Sequence, residues 1–435
     1  MAEGAAAAPP PAPAAGTASP GAPSASPPRR TRALDRGFWL LFCSSALCFL
    51  SIGAYAPVLP RFVQDELGGG GLEVGLVTGI TAVVAIVLRP SAGALGDRRG
   101  RRFAALIGSL VMGAGAALLL GPELLPVVLL ARLAIGLGEA LLSIASMAWV
   151  IDRAPNEHRG RALGAFGMSI WLGLGLGPLA AEALRVDHGF TAVWIFCTVT
   201  ALASGLLLGL LPAPRSIAVD RRQQSTRLLP QIPTAALRPG AVIALALYGE
   251  GIMGAFGVIH LVGRGVPEGA QLGGAASIFT VFAAVTFAAR IGAVMLVDRI
   301  GPFRCALLAN LLVGGGWALF ATAQGFAAAA AGAALVGAGY ALLYPALGLL
   351  VTARVVAEDR GAGLGTFMAF MDMGFGAGAV AGGLIVAVAS TALSFWSAAV
   401  AAVLGVALLL GPGGRPLRAV RAGDQIESVG GEPAR

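Results

Sequence analysis

Four ionisable side chains interrupt stretches that are otherwise apolar. Arg132 and Glu139 fall within 124–151, Glu250 within 240–262 and Asp372 within 362–388. Each stretch is long enough to cross the roughly 30 Å hydrocarbon core of a bilayer. A charge held there costs on the order of 2.5–3.5 kcal/mol or more, so its presence points to function. Arg132 and Glu139 are seven residues apart, two helical turns, and so share one face. A carboxylate pulled one way by burial and the other by a nearby arginine can take up and release a proton. Glu139 is the first candidate for a proton carrier, with Asp372 and Glu250 behind it. The alternative is structural: Arg132–Glu139 as a buried ion pair, and Glu250 as a packing group. Tyr55, Trp171, Tyr248, Tyr340, Tyr344 and Met371 can line an apolar cavity, although each taken alone is more often a packing residue than a ligand contact. Arg89 and Arg290, near the ends of 73–92 and 271–297, read as snorkelling or structural side chains and not as transport groups, and His260 as interfacial. No His, Cys or carboxylate cluster has metal-ligand spacing, and no nucleophile arrangement suggests an enzyme or a cofactor. The four cysteines (Cys43, Cys48, Cys197, Cys305) sit in or beside apolar segments and read as small core residues.

A second feature is the stretch RPSAGALGDRRGRR, Arg89 to Arg102. Asp97 is followed by Arg98, Arg99, Arg101 and Arg102, and the arginines alone satisfy the positive-inside rule. Gly93, Gly96 and Gly100 permit a tight turn and close helix contact, and Arg101 is placed to pair with Asp152. The pattern returns 201 residues later as Arg290, Asp298, Arg299 and Gly301. The same offset carries Glu157, Arg159, Gly160, Leu163, Gly164 and Phe166 onto Glu358, Arg360, Gly361, Leu364, Gly365 and Phe367, and Gly136 and Gly138 onto Gly337 and Gly339. One constant offset across separated features reads as a duplicated half, each a bundle of membrane helices.

With these motifs the chain resembles a major facilitator superfamily (MFS) transporter, and 93–102 resembles that family's signature loop between helices 2 and 3. The resemblance covers about 37–411 and implies 12 transmembrane helices in two pseudo-symmetric six-helix bundles, an all-α integral membrane fold. It implies that helices 1, 2, 4, 5, 7, 8, 10 and 11 line a central cavity, and Arg132 matches a basic residue the family carries on helix 4. It also implies latches that hold one face shut: Asp97 against Gly361–Leu364, and Asp298, through the repeat, against Gly160–Leu163. The run from Trp171 to Pro178, with Gly173, Gly177 and Pro178, resembles the helix 5 signature of the family's drug and metabolite exporters. Proton-coupled efflux of a small hydrophobic drug or metabolite by alternating access is the function this resemblance implies. The alternatives are a proton-coupled importer or symporter of a small polar solute, such as a sugar or organic acid, and a non-transporting receptor or scaffold.

The elements that must hold these groups are set by composition. The 435 residues are 57% hydrophobic and 12% charged, with mean hydropathy +0.82; a soluble chain carries about 25% charged residues. All 30 basic residues are arginine, and the absence of lysine excludes a Walker A phosphate loop. Of these arginines, 24 fall in segments read as cytoplasmic, Arg61, Arg185 and Arg264 in outer loops, and Arg89, Arg132 and Arg290 inside helices. That asymmetry fits membrane topogenesis and excludes a nucleic-acid surface. The expected organisation is a disordered cytoplasmic tail over 1–36, six helices over 37–211, a cytoplasmic linker over 212–238, six helices over 239–411 and a disordered cytoplasmic tail over 412–435. Helices are expected at 37–62, 73–92, 103–121, 124–151, 161–184, 190–211, 240–262, 271–297, 303–324, 326–352, 362–388 and 391–411. Pro57 and Pro60 are expected to bend the outer end of the first. The expected partners are the lipid bilayer, a small-molecule substrate and protons, for a monomer in the cell (plasma or inner) membrane.

Overall fold

The computed structural model describes residues 35–154, 158–211, 233–355 and 360–411, without the side chains of 89–94, 97, 159, 160, 294 and 360–362. Among the described residues every element is helical. Helix 1 is Arg36–Asp65, helix 2 Gly71–Arg99, helix 3 Arg101–Leu118 and helix 4 Leu125–Arg153. The stretch Arg159–Gly209 is broken at Gly189, whose φ of 79° and ψ of −176° leave the helical region. It is therefore two helices, helix 5 (159–188) and helix 6 (190–209). Helix 7 is Thr234–Val262, helix 8 Ser277–Ile300, helix 9 Pro302–Thr322, helix 10 Phe326–Thr352, helix 11 Arg360–Val388 and helix 12 Thr391–Leu410.

Among the described residues ten helical stretches are long and apolar enough to cross a membrane; the one over 161–209 contains two helices, and Ser277–Ala293 is a shorter apolar helix. Twelve spans place the start of helix 1, the end of helix 12, Asp97 and Asp298 at one end of the bundle. We call that end the termini face and its opposite the far face. Large apolar side chains such as Val83, Leu130, Leu206, Ile291 and Val403 are exposed around the outside, as a lipid-facing belt requires.

The duplication is visible contact by contact. Gly100 and Gly301 have matching left-handed backbones (φ 97°, ψ 148° and φ 83°, ψ 155°), and each separates two consecutive helices. Only glycine adopts this conformation without strain. Gly138 of helix 4 lies against Gly108 and Met112 of helix 3, and Gly339 of helix 10 against Ala309 and Val313 of helix 9. Gly136 faces Thr81 on helix 2, and Gly337 faces Phe282 on helix 8. Every one of these partners is displaced by the same 201 residues. Helix 1 packs on helices 5 and 6 as helix 7 packs on 11 and 12. The two halves meet through helix 2 on 11 and helix 5 on 8.

Several expected boundaries move. Helix 1 runs through Pro57 and Pro60 to Asp65, three residues past the expected end, so Arg61, counted above with the outer loops although inside the expected 37–62, lies within the helix. Helix 5 continues past 184, which places Arg185 in a helix as well. Helix 2 extends to Arg99, so Gly93, Gly96 and Asp97 are helical and the turn rests on Gly100 alone. Helix 7 begins at Thr234, inside the expected linker, where the extended backbone of Pro233 precedes it. The rest of that linker, the residues of the N-terminal tail before Asp35 and the tail over 412–435 lie outside the described residues.

Candidate functional site

Helix 4 carries the first candidate group. Its packing through Gly138 fixes the rotation that turns Arg132 inward, where it is buried. The Arg132 Nε donates to the Val77 carbonyl of helix 2 at 3.1 Å, and the guanidinium stands over the Tyr55 ring of helix 1, 5.2 Å from its centroid. Tyr55 is itself stacked on Trp194 of helix 6 at 6.1 Å. The charge is thus stabilised by a ring face and a carbonyl, two contacts suited to a planar guanidinium. Glu139 is half-buried, within electrostatic reach of Arg132 and of Cys48 on helix 1. These groups line the interior between helices 1, 2 and 4.

The second half holds a different set. Tyr340 of helix 10 donates to the Ala246 carbonyl of helix 7 at 2.7 Å, one turn from Glu250. Tyr248 pairs with Ser397 of helix 12 at 3.2 Å, within its own half. Tyr344 packs beside Phe367 of helix 11 with centroids 5.9 Å apart, and Met371 and Asp372 follow on that helix, half-buried.

Between the halves lies an aromatic chain. Trp171 of helix 5 meets Phe282 of helix 8 edge-on at 6.1 Å, and Phe282 meets Tyr340 edge-on at 5.7 Å. Arg290 stands over Trp171 at 5.1 Å. The exposed Arg290 therefore lays its head group on a ring of the opposite half. The helix 5 glycines divide by face. Gly173 and Gly177, four apart, lie against the helix 1 backbone at Phe49–Leu50 and Leu50–Ala54. Gly175, on the other side, accepts a hydrogen bond on its carbonyl from Thr280 of helix 8 at 2.6 Å. Pro178 lies inside the same helix. Helix 5 is a slat between helices 1 and 8.

At the termini face Arg101 Nε lies 3.3 Å from Asp152 Oδ2, and Arg153 pairs with Asp35 at 2.6 Å. Arg98, Asp298 and Arg299 are exposed, and among the described residues Asp298 has no ion pair. The expected docking of Asp97 falls on side chains outside those described, as do Arg89 and the Gly160 and Gly361 ends of the expected latches.

The far face holds a cluster the sequence reading did not assemble. Arg61 of helix 1 and Arg185 of helix 5 both bind Glu182 of helix 5, at 3.4 and 2.8 Å. Both also bind Glu268, on the loop between helices 7 and 8; the Arg185 contact is 2.8 Å, and Arg61 makes the other. Two arginines and two carboxylates thus alternate in a ring that joins the halves. The hydrogen bond from Arg61, with Arg185 beside it, holds the Glu268 carboxyl below the usual carboxylate range. The sequence signal was Glu182 and Arg185 at i, i+3 at the end of an apolar stretch; the loop partner is 83 residues from Arg185 and has no local signature.

Comparison with known proteins bears on this arrangement. The family model described as Major Facilitator Superfamily matches residues 41–276 and 268–429. An uncharacterized MFS-type transporter of Burkholderia pseudomallei (strain 1106a) is 30% identical over 371 residues, covering 83% of this chain and 88% of its own. Another, of Salmonella typhimurium (strain LT2), is 27% identical over 377 residues, covering 83% and 93%. Among solved structures, the nucleoside transporter NupG matches with a TM-score of 0.75 at 15% identity, over 86% of this chain and 99% of that one. The human organic anion transporter MFSD10 (TETRAN) matches with a TM-score of 0.63 at 20% identity, over 88% and 100%.

Proposed function

The chain belongs to the Major Facilitator Superfamily and is a multi-pass membrane transporter, and from that premise we propose that it exports a small hydrophobic drug or metabolite in exchange for protons. The observation that carries this reading is Arg132, buried in helix 4 with its guanidinium on Tyr55 and half-buried Glu139 two turns along the same face. A carboxylate in that position alternates between a protonated state and one paired to the arginine, and the substrate competes for the same interior. Asp372 and Glu250 are the further proton-carrying candidates. The aromatic chain of Trp171, Phe282 and Tyr340 suits an apolar ligand, with Tyr344 and Met371 beside it. Gly173, Gly177 and Pro178 support export through their likeness to the family's exporter signature.

The two six-helix bundles rock about this interior, and Asp97, Arg101 and Asp152, with Asp298 in the second copy, steady the termini face when it is shut. The termini face is cytoplasmic, in keeping with its arginines. The protein works as a monomer in the cell membrane. An inward proton releases about 2.3 kcal/mol per 100 mV, which is sufficient to drive uphill efflux.

A second reading is proton-coupled import of a small polar solute such as a sugar or organic acid. Glu250 and Asp372, half-buried on helices 7 and 11, favour it by offering polar contacts in the interior of the second half.

Proteoliposomes with an imposed pH gradient separate the two. Proton release on addition of a hydrophobic compound supports antiport, and uptake of a polar solute together with protons supports symport. Glu139→Gln and Asp372→Asn are expected to uncouple transport from the gradient; full coupling in both variants would overturn the proton-carrier assignment.

A further inference from the structure

The four charges at the far face are not equally distributed. Arg61, Glu182 and Arg185 all belong to the first half, on helices 1 and 5, whereas Glu268 alone comes from the second. Glu182 is 1% exposed and fixes both guanidiniums: Arg61 reaches its Oε1 at 3.4 Å, and Arg185 binds it twice, at 3.0 and 2.8 Å. The arginine side chains are 9% and 14% exposed, while Glu268 is 43% exposed at the mouth of the ring. Each Glu268 oxygen takes a different arginine, Oε1 from Arg61 and Oε2 from Arg185. Glu268 is thus held as a carboxylate ligand is held in a receptor, two oxygens on two guanidiniums.

When the halves part at this face, Glu268 leaves with its loop and the first half keeps two arginines against one carboxylate. The donors remain aimed at the vacated position because Glu182 still orients them, which leaves a net positive site shaped for a carboxylate. We infer that Arg61 and Arg185 form a carboxylate-binding site at the far face, occupied in the closed state by Glu268 as a tethered ligand and open to a small carboxylate solute when Glu268 withdraws. This site is separate from the interior around Arg132, and the inference holds whichever direction the transporter runs. Chloride, a single point of charge, cannot span the two guanidiniums as a carboxylate does.

The test uses the purified full-length protein, wild type, Glu268→Ala and Glu268→Ala/Arg185→Gln. Thermal unfolding is followed against sodium acetate, with sodium chloride at matched ionic strength as reference. The Glu268→Ala variant is expected to gain stability with acetate in a saturable manner that chloride does not reproduce. Wild type is expected to need about tenfold more acetate or beyond, because its own carboxylate is present at high effective concentration. Glu268→Ala/Arg185→Gln is expected not to respond. Glu268 is on an exposed loop, so its truncation leaves the fold intact; Glu268→Gln serves as a second variant with the same expected response, weakened by the retained amide. Acetate acting on Glu268→Ala no more than chloride, or acting equally on the Arg185→Gln double variant or on wild type, overturns the proposal.

Discussion

The Arg290 guanidinium on helix 8 stands 5.1 Å from the centroid of the Trp171 ring on helix 5, so a charge of one half rests on an aromatic face of the other. Phe282 meets the same indole from the side. A cation–π contact made by an exposed arginine contributes about 0.5–1 kcal/mol, equivalent to roughly 2–5-fold in an equilibrium between conformations. Arg290→Gln and Trp171→Leu are each expected to lower transport in proteoliposomes by about that factor or less. Their double variant should be little worse than either alone, because both remove one interaction. Full additivity of the two losses would show that the pair does not act as a unit.

The helix 5 glycines make a sharper structural prediction. A Cβ on Gly177 would lie 2.4 Å from the Leu50 carbonyl oxygen, and one on Gly173 would lie 2.6 Å from the Leu50 nitrogen. Both obstacles are backbone and cannot swing aside. Gly177→Ala is therefore expected to force helices 1 and 5 apart and to destabilise by about 1–3 kcal/mol. Gly167, on the same helix, has nothing within 4 Å. Gly167→Ala should be neutral or gain about 0.5–1 kcal/mol from helix propensity. Thermal unfolding of the two variants in one detergent compares them directly; equal midpoints would contradict the close-packing argument.

The repeat and the number of spans were legible because they are written in periodic apolar length and in a constant offset between charged turns, both properties of the chain alone. Arg132 was legible for the same local reason, a charge in an apolar run. The partner of Arg290 is not legible, since nothing near it in sequence shows that Trp171 will lie against it from the other half. Arg61 lies in the last turn of the expected 37–62 and Arg185 just past the expected 161–184, so neither reads as an interior group. Buried pairing with Glu182 lets the helices continue through those positions. Glu268, exposed in a glycine-rich loop, acquires meaning only when the halves come together.

The same far-face ring sets a pH dependence. Glu268 faces Arg61 and Arg185, with Glu182 behind them, and its carboxyl is held below the ordinary value of 4.5. A lowered carboxylate contributes its pairing fully above the ordinary value and loses it as pH falls through the lowered one. The closed far face should therefore be insensitive to pH between about pH 8 and pH 5 and should loosen below that. Spin labels at Val186→Cys and Leu272→Cys, both exposed and one on each half, report the separation in a Cys43→Ser background. A longer distance should appear in acid for wild type and already at neutral pH for Glu268→Gln. A Glu268→Gln distribution matching that of wild type at neutral pH would rule out the ring as a tie.

Arg132 tests whether the interior needs a guanidinium or only a charge. Its Nε is committed to the Val77 carbonyl at 3.1 Å while the plane of the head group covers Tyr55. A lysine ammonium has no planar face and no Nε at that depth, so it can satisfy one contact only by abandoning the other. In a buried setting the lost contact leaves a polar group unsatisfied, at about 1–3 kcal/mol. Arg132→Lys is accordingly expected to reduce transport by about tenfold or more, with proton coupling altered, despite the conserved charge. Tyr55→Phe removes only the hydroxyl and keeps the ring that the guanidinium covers, so it should retain most activity. Proteoliposome transport of both variants decides the matter: an active Arg132→Lys would mean that charge alone suffices, and an inactive Tyr55→Phe would mean that the hydroxyl, and not the aromatic face, is what the arginine requires.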